Sequence, residues 1–221
     1  MIVRGKYHIL EEQHEELEKL AAQFYDTDGK TPMTADKLFY DSKWENINGR
    51  INVNSQGYVT RIMTKNYKNR TGRLDLSENF TSLEILNCEL SSNTRSMSIP
   101  HTLTELKMLI ASSINLDKID LPEESTKMTD IRLEFNSFPV LKIPKTYISL
   151  KNLYCPCGMI ELELPFLPSL EHLWVVGSPR MELTKRHVAN MPNLKSITAN
   201  GTEISDSFAR YLRKDARIYI S

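Results

Sequence analysis

Three polar residues, Asn152, His172 and Ser196, have the side-chain types of a hydrolase active site and recur at intervals of 20 and 24 residues. In such enzymes an imidazole activates a hydroxyl nucleophile, and a third group orients the imidazole. Backbone N–H groups must also point at the developing oxyanion, and in a parallel sheet the strand ladder uses those donors. An open sheet face does not exclude water either. We therefore predict that the chain is not an enzyme and keep a Ser-His hydrolase as a remote alternative.

Metal-binding residue types are present, but their spacing does not suit a structural metal site. Cys155 and Cys157 flank Pro156, whereas Cys88 is far away in the sequence. Structural zinc requires four ligands around one point. The eight glycines form no phosphate-binding pattern. The sequence therefore predicts neither a metal nor a cofactor.

The elements that would position these side chains come from a repeated apolar pattern, clearest in MTDIRLEFNSFPVLKIP at 128–144. Ile131 and Leu133 alternate with charged residues, and this period of two predicts a short strand. A turn follows Asn136, and Pro144 then fixes an extended bend because it lacks a backbone donor. One unit cannot bury its own apolar edge, so it is stable only when copies stack.

The pattern L-x-x-L-x-L-x-x-N-x-L resembles that of the leucine-rich repeat family. Copies start near residues 59, 80, 103, 128, 150, 170 and 194. The resemblance implies an α/β leucine-rich repeat solenoid of about seven turns, with a curved parallel β-sheet on its concave face. Because the repeats are short, we expect the convex face to be mostly irregular, with extended or 3₁₀ segments. The stretch 183–192 is the exception, where two helical turns are expected.

The ends of the chain have patterns of their own. Residues 9–25 form an amphipathic pattern that predicts a helix covering the first turn. The order of this helix, then YDTDGK at 25–30, Trp44 and GYVTRI at 57–62, resembles the amino-terminal cap of plant-type and related bacterial leucine-rich repeat proteins. Those caps usually carry a cysteine pair, which this chain lacks, so a cytoplasmic relative fits better than a secreted receptor.

Residues 205–221 predict a helix near 206–214 and a last short strand, as in the closing cap of such arrays. Asp206 or Ser205 is expected to cap the helix. The predicted organisation is an N-terminal helical cap and lead-in (1–58), leucine-rich repeats (59–204) and a C-terminal cap (205–221). The N-terminal helix is expected to be a cap, and a partner-binding helix is the alternative.

Side chains between the buried strand positions are expected to project from the concave face in rows about 4.8 Å apart. A Trp beside a Tyr, with an Arg one strand away, is the composition of an interface hot spot. The predicted partner-binding residues are Lys107, Leu109, Arg132, Glu134, Tyr154, His172, Trp174 and Val176. We also expect Arg132 to stack on Tyr154. The alternative is that these are ordinary exposed residues or lie beneath a cap.

Composition narrows the class of partner. The chain has 28 basic and 28 acidic residues, so its formal charge is zero, which argues against nucleic acid or an anionic membrane as the main target. An odd number of cysteines suits a reducing compartment. The amino terminus has no apolar core typical of a signal peptide. We therefore predict a cytoplasmic protein, or one delivered into a host cytoplasm, as in bacteria, their viruses or effector-delivering pathogens.

The sequence thus predicts a non-catalytic module that binds another protein through the concave sheet. A second hypothesis is a small-ligand binder, for a carbohydrate or a peptide. That hypothesis requires a bounded apolar pocket with converging polar groups, and we expect it where the amino-terminal cap meets the first turns.

Overall fold

The computed structural model of the chain describes residues 1–4, 7–25, 28–40 and 50–220. These residues form a β-solenoid of about seven turns, with one large parallel sheet and few helices. Trp44 and part of the YDTDGK segment lie outside the described residues, so the structure does not test their place in the predicted cap.

The first quarter of the chain contains short strands and two helices. In order, they are β1 (Ile2–Arg4), β2 (Tyr7–Ile9), α1 (Glu11–Ala21), β3 (Phe24–Tyr25), α2 (Ala35–Tyr40) and β4 (Ile51–Val53). Strand β2 pairs with β1, and β4 pairs antiparallel with the strand that follows it. Helix α1 is bound to the first turns through Gln13, whose side chain donates to the carbonyl of Asn79 and accepts from the N–H of Val59.

The rest of the chain alternates between two sides of the solenoid. Its elements are β5 (Val59–Met63), β6 (Lys68–Asn69), β7 (Arg73–Asp75), β8 (Ile85–Asn87), β9 (Ser96–Ser98), β10 (Met108–Ile110), β11 (Lys118–Asp120), β12 (Asp130–Arg132), β13 (Val140–Lys142), β14 (Asn152–Tyr154), β15 (Glu161–Glu163), β16 (His172–Trp174), β17 (Glu182–Leu183), α3 (Lys185–Ala189), β18 (Ser196–Thr198), β19 (Glu203–Ile204), α4 (Asp206–Tyr211) and β20 (Arg217–Tyr219).

The large sheet has nine strands in the order β20-β18-β16-β14-β12-β10-β8-β5-β4. All its pairings are parallel except that of β4 with β5. One residue of each parallel strand, the middle one in the three-residue strands β8 to β20, points inward, and these residues stack in register as one apolar spine. The spine comprises Ile62, Leu86, Leu109, Ile131, Leu153, Leu173, Ile197 and Ile218.

The predicted alignment of the repeats was wrong by three residues in the second and third turns. Leu109, and not Leu106, pairs with Ile131, so these copies begin at Leu83 and Leu106. The sequence allows both alignments because each turn carries another buried position three residues earlier, at Phe80 and Leu103 in these turns. The carbonyl of that earlier residue accepts a hydrogen bond from the N–H three residues on, at 2.9 Å for Phe80 and 3.3 Å for Leu103.

The outer side is more regular than expected. Short parallel strands pair there as β11-β9-β7, β13-β15 and β17-β19, and the residues that the structure describes contain no 3₁₀ helix. The middle residues Leu74, Met97, Leu141 and Leu162 are buried between outward-facing neighbours. Extended segments were expected, but the ladders arise because this polar-apolar-polar alternation recurs in each turn and brings the segments into register.

Asn136 stabilises the turn between the two sides in the middle of the solenoid. Its Oδ1 accepts from the N–H groups of Ile114 and Leu116, at 3.3 and 3.0 Å, and its Nδ2 donates to the carbonyls of Ala111 and Leu133, at 2.7 and 2.8 Å. One buried amide therefore satisfies four backbone groups on two successive turns, which the interior requires because unpaired polar groups are costly there.

The helices near the carboxyl end follow the predicted positions, though they are shorter. Thr184 precedes α3 in a capping box with His187, and Ser205 caps α4 by accepting the N–H of Phe208 at 3.1 Å. Phe208 is buried, whereas Tyr211 is exposed. The longest helix, α1, has 11 residues, and no described helix is long and apolar enough to cross a membrane.

Candidate functional site

The outward side of the large sheet, which we call the open face, is built from two rows of side chains. Each three-residue strand turns its middle residue into the spine, so its first and third residues face outward. The first row is Arg61, Ile85, Met108, Asp130, Asn152, His172, Ser196 and Arg217. The second row is Met63, Asn87, Ile110, Arg132, Tyr154, Trp174, Thr198 and Tyr219.

The first half of the open face carries a group of apolar side chains beside Arg61 and Asn87. Met63, Ile85, Met108 and Ile110 occupy neighbouring places on β5, β8 and β10, and all are half-buried. Lys107 was predicted to project from this part of the face, and that prediction was wrong because it depended on the alignment that the structure corrects. A contiguous apolar patch on the surface of a sheet is a feature of interaction sites.

The second half of the open face carries an aromatic group around one arginine. Arg132, Tyr154 and Trp174 are direct neighbours in the second row, as predicted. The guanidinium carbon of Arg132 lies 5.1 Å from the ring centroid of Tyr154, which confirms the expected stacking. Phe135, in the turn after β12, packs its ring edge-to-face against Trp174 with centroids 5.9 Å apart.

Phe135 has an unusual backbone conformation for its residue type. Its φ is +59°, and 64 % of its surface is exposed. The residue four positions after the spine residue is left-handed in several turns, and it is Asn66, Gly177 or Gly201 in three of them. Asn and Gly tolerate this conformation, whereas a bulky side chain is strained by it. A strained, exposed aromatic residue beside Trp174 indicates a role other than stability.

Polar side chains in the first row hydrogen-bond to one another along the sheet. Asn152 Nδ2 donates to Asp130 Oδ1 at 2.6 Å, and His172 Nδ1 lies 2.7 Å from Ser196 Oγ. The structure therefore brings together the His and Ser of the considered hydrolase triad. It turns the amide of Asn152 toward Asp130 on the opposite side, and His172 is exposed to solvent.

Four of the predicted partner-binding residues lie elsewhere than on the two rows. Leu109 is fully buried in the spine, because the alignment that placed it on the face was wrong. Lys107 lies at the edge where the strands begin, and its Nζ is 3.0 Å from Glu84. Glu134 and Val176 lie two residues beyond Arg132 and Trp174, and both are half-buried beside the face.

Sequence reasoning missed Met63, Ile85, Met108, Ile110 and Phe135. Ile85, Met108 and Ile110 follow once the spine is aligned on Leu86 and Leu109, and the signal for that choice is the small apolar residue two positions later, as at Cys88 and Ala111. Met63 follows directly from the spine residue Ile62 in the first turn, whose alignment was correct. Phe135 has no such signal, because a turn residue does not reveal which strand its ring will reach.

Several polar atoms on or beside the open face are shielded from solvent and lack a hydrogen-bond partner within the described residues. They are Arg61 Nε, Ser112 Oγ, Arg132 Nε, Glu134 Oε2 and Asn200 Oδ1. Arg61 and Arg132 also form no ion pair with any described residue. Buried polar groups without partners are costly, so groups from another molecule would be stabilised here.

The cysteines do not form a reactive or metal-binding group. Cys88 and Cys155 are buried three turns apart, and burial raises the pKa of the Cys88 thiol to about 12. Burial also raises the pKa of Cys155, and the nearby charge of Glu134 raises it further. A thiolate is the reactive and metal-binding form, so these two residues serve as small apolar groups.

Two hollows of moderate size lie away from the open face. A hollow of about 400 Å³ lies between α1 and the first turn, and Leu20 and Leu76 are its apolar lining residues among seven polar ones. A larger cleft of about 990 Å³ lies on the outer side near β15 and α3, with carboxylates such as Glu123, Glu161 and Glu182 on its wall. Neither has the mostly apolar lining that small-ligand pockets show.

A scan against models of known protein families finds no match for this chain, and a search of curated proteins finds no significant match either.

Proposed function

We propose that the chain is a non-catalytic protein-binding module whose open face takes a partner protein, and that its solenoid is a form of the leucine-rich repeat. The repeated L-x-x-L spacing and the stacked spine support the second part of this proposal. The composition of the open face supports the first part.

The observation that carries the proposal is the arrangement around Arg132. Tyr154, Trp174 and Phe135 offer aromatic surface, and Arg132 stacks on Tyr154 with a buried Nε that has no hydrogen-bond partner among the described residues. Interface hot spots are enriched in Trp, Tyr and Arg in this kind of setting. Met108 and Ile110 extend the surface with flexible and branched apolar groups, which suits a protein rather than a small molecule.

Catalysis by Ser196 and His172 is the less favoured reading. Their contact is open to solvent, and the backbone N–H groups of the sheet are used by the strand ladder, so none is directed at an oxyanion. We propose that the hydrogen bond between these two side chains fixes their orientation on β16 and β18.

The double substitution Y154A/W174A tests the proposed function. Immobilised wild-type protein and this variant are compared for capture of partners from an extract of the native source, together with the control I148A/F166A. Ile148 and Phe166 are exposed apolar residues outside the two rows. We expect the partner to remain on the wild type and the control and to be lost from Y154A/W174A, with similar thermal midpoints for all three proteins.

Retention of the same partner by Y154A/W174A would exclude the aromatic group as the binding surface. Loss from the control as well would mean that capture depends on general apolar exposure and not on the open face.

A further inference from the structure

The two helices of the first quarter bring three metal-ligand side chains together. His14 and Glu18 are four residues apart on α1, and Asp36 is in the first turn of α2. One donor atom from each residue lies within 4.8 Å of the other two. We propose that His14, Glu18 and Asp36 bind a divalent transition-metal ion, with Zn²⁺ as the best fit, and that this ion ties α1 to α2.

The distances are close to those of a bound ion. Zinc bonds nitrogen and oxygen at about 2.0–2.2 Å, so two ligand atoms at tetrahedral angles are about 3.4 Å apart. His14 Nε2 lies 3.4 Å from Asp36 Oδ1 and 4.0 Å from Glu18 Oε1. A small shift of the Glu18 side chain completes the arrangement, because residues four apart on a helix project from the same face.

The side chains are also held in place for such a role. The imidazole of His14 is nine-tenths buried and directs Nε2 at both carboxylates. His14 Nε2 and Asp36 Oδ1 form a hydrogen bond that is long at 3.4 Å, and Glu18 Oε1 lies farther away at 4.0 Å. Glu18 Oε2 accepts the N–H of Ala35 at 3.0 Å, which fixes the carboxylate and leaves Oε1 for the ion.

The donor set selects the type of ion. One imidazole and two carboxylates suit Zn²⁺ better than Ca²⁺ or Mg²⁺, which prefer a shell of oxygen atoms. The Asp36 side chain is about half exposed, so water can fill the remaining coordination position. This site could not be predicted from the sequence, because the pair at 14 and 18 lacks its third ligand until the fold brings in α2.

The test is Zn²⁺ titration of the full chain by isothermal titration calorimetry, combined with thermal midpoints in ZnCl₂ and in chelator. All proteins carry C157S, so that the partly exposed thiol does not bind zinc. The variants are E18Q and D36N, which keep the shape of each side chain and remove its charge. The matched control is D120N, because Asp120 is an exposed aspartate on the outer side.

We expect one Zn²⁺ per chain in the C157S protein and in D120N, with a higher thermal midpoint in zinc than in chelator. E18Q and D36N should each weaken binding by roughly tenfold or more and remove most of the thermal shift. Neither side chain is deeply buried, so both variants should fold.

Three results would overturn the proposal. They are no zinc binding by the C157S protein, unchanged binding in both E18Q and D36N, and equal weakening in D120N. None of these results concerns the open face, so the test of this inference is independent of the test of the proposed function.

Discussion

At the residue scale, the presence of Phe135 is the hardest to explain by a gain in stability. Its left-handed backbone is strained by about 1–3 kcal/mol for a bulky residue. Its edge-to-face contact with Trp174 stabilises the folded chain by about 0.5–1.5 kcal/mol. At the middle of these ranges the contact offsets about half of the strain, so we infer that the exposed ring serves the binding surface.

The substitution F135G separates these two roles. Glycine removes the strain together with the ring, so the free energy of unfolding should change by no more than about 1 kcal/mol. Capture of the partner should fall clearly, because Trp174 loses its neighbour. Chemical denaturation and quantitative capture measure the two effects.

Ser113 provides a matched control, since it shares the left-handed conformation with a φ of +57° and has no aromatic ring. S113G should leave capture unchanged. Full capture by F135G, or its strong destabilisation, would show that Phe135 was retained for packing.

Individual residues also show how far the sequence could predict this face. Tyr154, Trp174 and Arg132 were placed correctly, because Ile131, Leu153 and Leu173 allow one alignment. Leu109 was misplaced because apolar residues at 103, 106 and 109 allow two alignments that differ by three residues. A period of three in apolar residues does not decide between them; stacking against the next turn does.

At the element scale, side chains in and beside α3 form hydrogen bonds to the backbone of the preceding turn. His187 Nδ1 accepts the N–H of Thr184 at 3.0 Å, and the ring also hydrogen-bonds the backbone of Leu162 in β15. Asn190 adds a bond from its Nδ2 to the carbonyl of Leu164 at 2.6 Å. Two side chains of this helical region are thereby bonded to the backbone of the preceding turn, at Leu162 and Leu164. The sequence predicted helical turns here, but not that they bond to the preceding turn.

This contact makes stability depend on pH. Burial lowers the pKa of His187 below its ordinary value of 6.5, although its hydrogen bond to the backbone of Leu162 opposes the shift. The unfolded chain therefore takes up the proton more readily than the folded chain. The stabilisation is complete above pH 6.5 and is lost as the pH falls through the lowered pKa.

We expect the free energy of unfolding to decrease between about pH 7.5 and pH 5, measured by urea denaturation. In H187Q the dependence should be flatter, because a Gln side chain can accept the Thr184 N–H but does not titrate. H8Q is the control, since His8 is exposed on β2 and should leave the dependence unchanged. An equal slope in H187Q and wild type would contradict the assignment.

At the scale of the whole molecule, the sequence predicted the solenoid and about seven turns because one spacing recurs throughout the chain. The ladders on the outer side were less predictable, since each depends on registration between turns and not on any one turn. The stacking of turns leaves the open face as a continuous regular surface, about 34 Å long over its eight strands β5 to β20. The central claim is that a partner protein lies on this surface.

Site-specific photo-cross-linking in an extract of the native source tests this claim most directly. Benzoylphenylalanine replaces Thr198, which neighbours Trp174 in the second row, or Ile160, which is exposed on the outer side. The account predicts a cross-linked partner from position 198 and none from position 160. A partner cross-linked from position 160 and not from position 198 would contradict it.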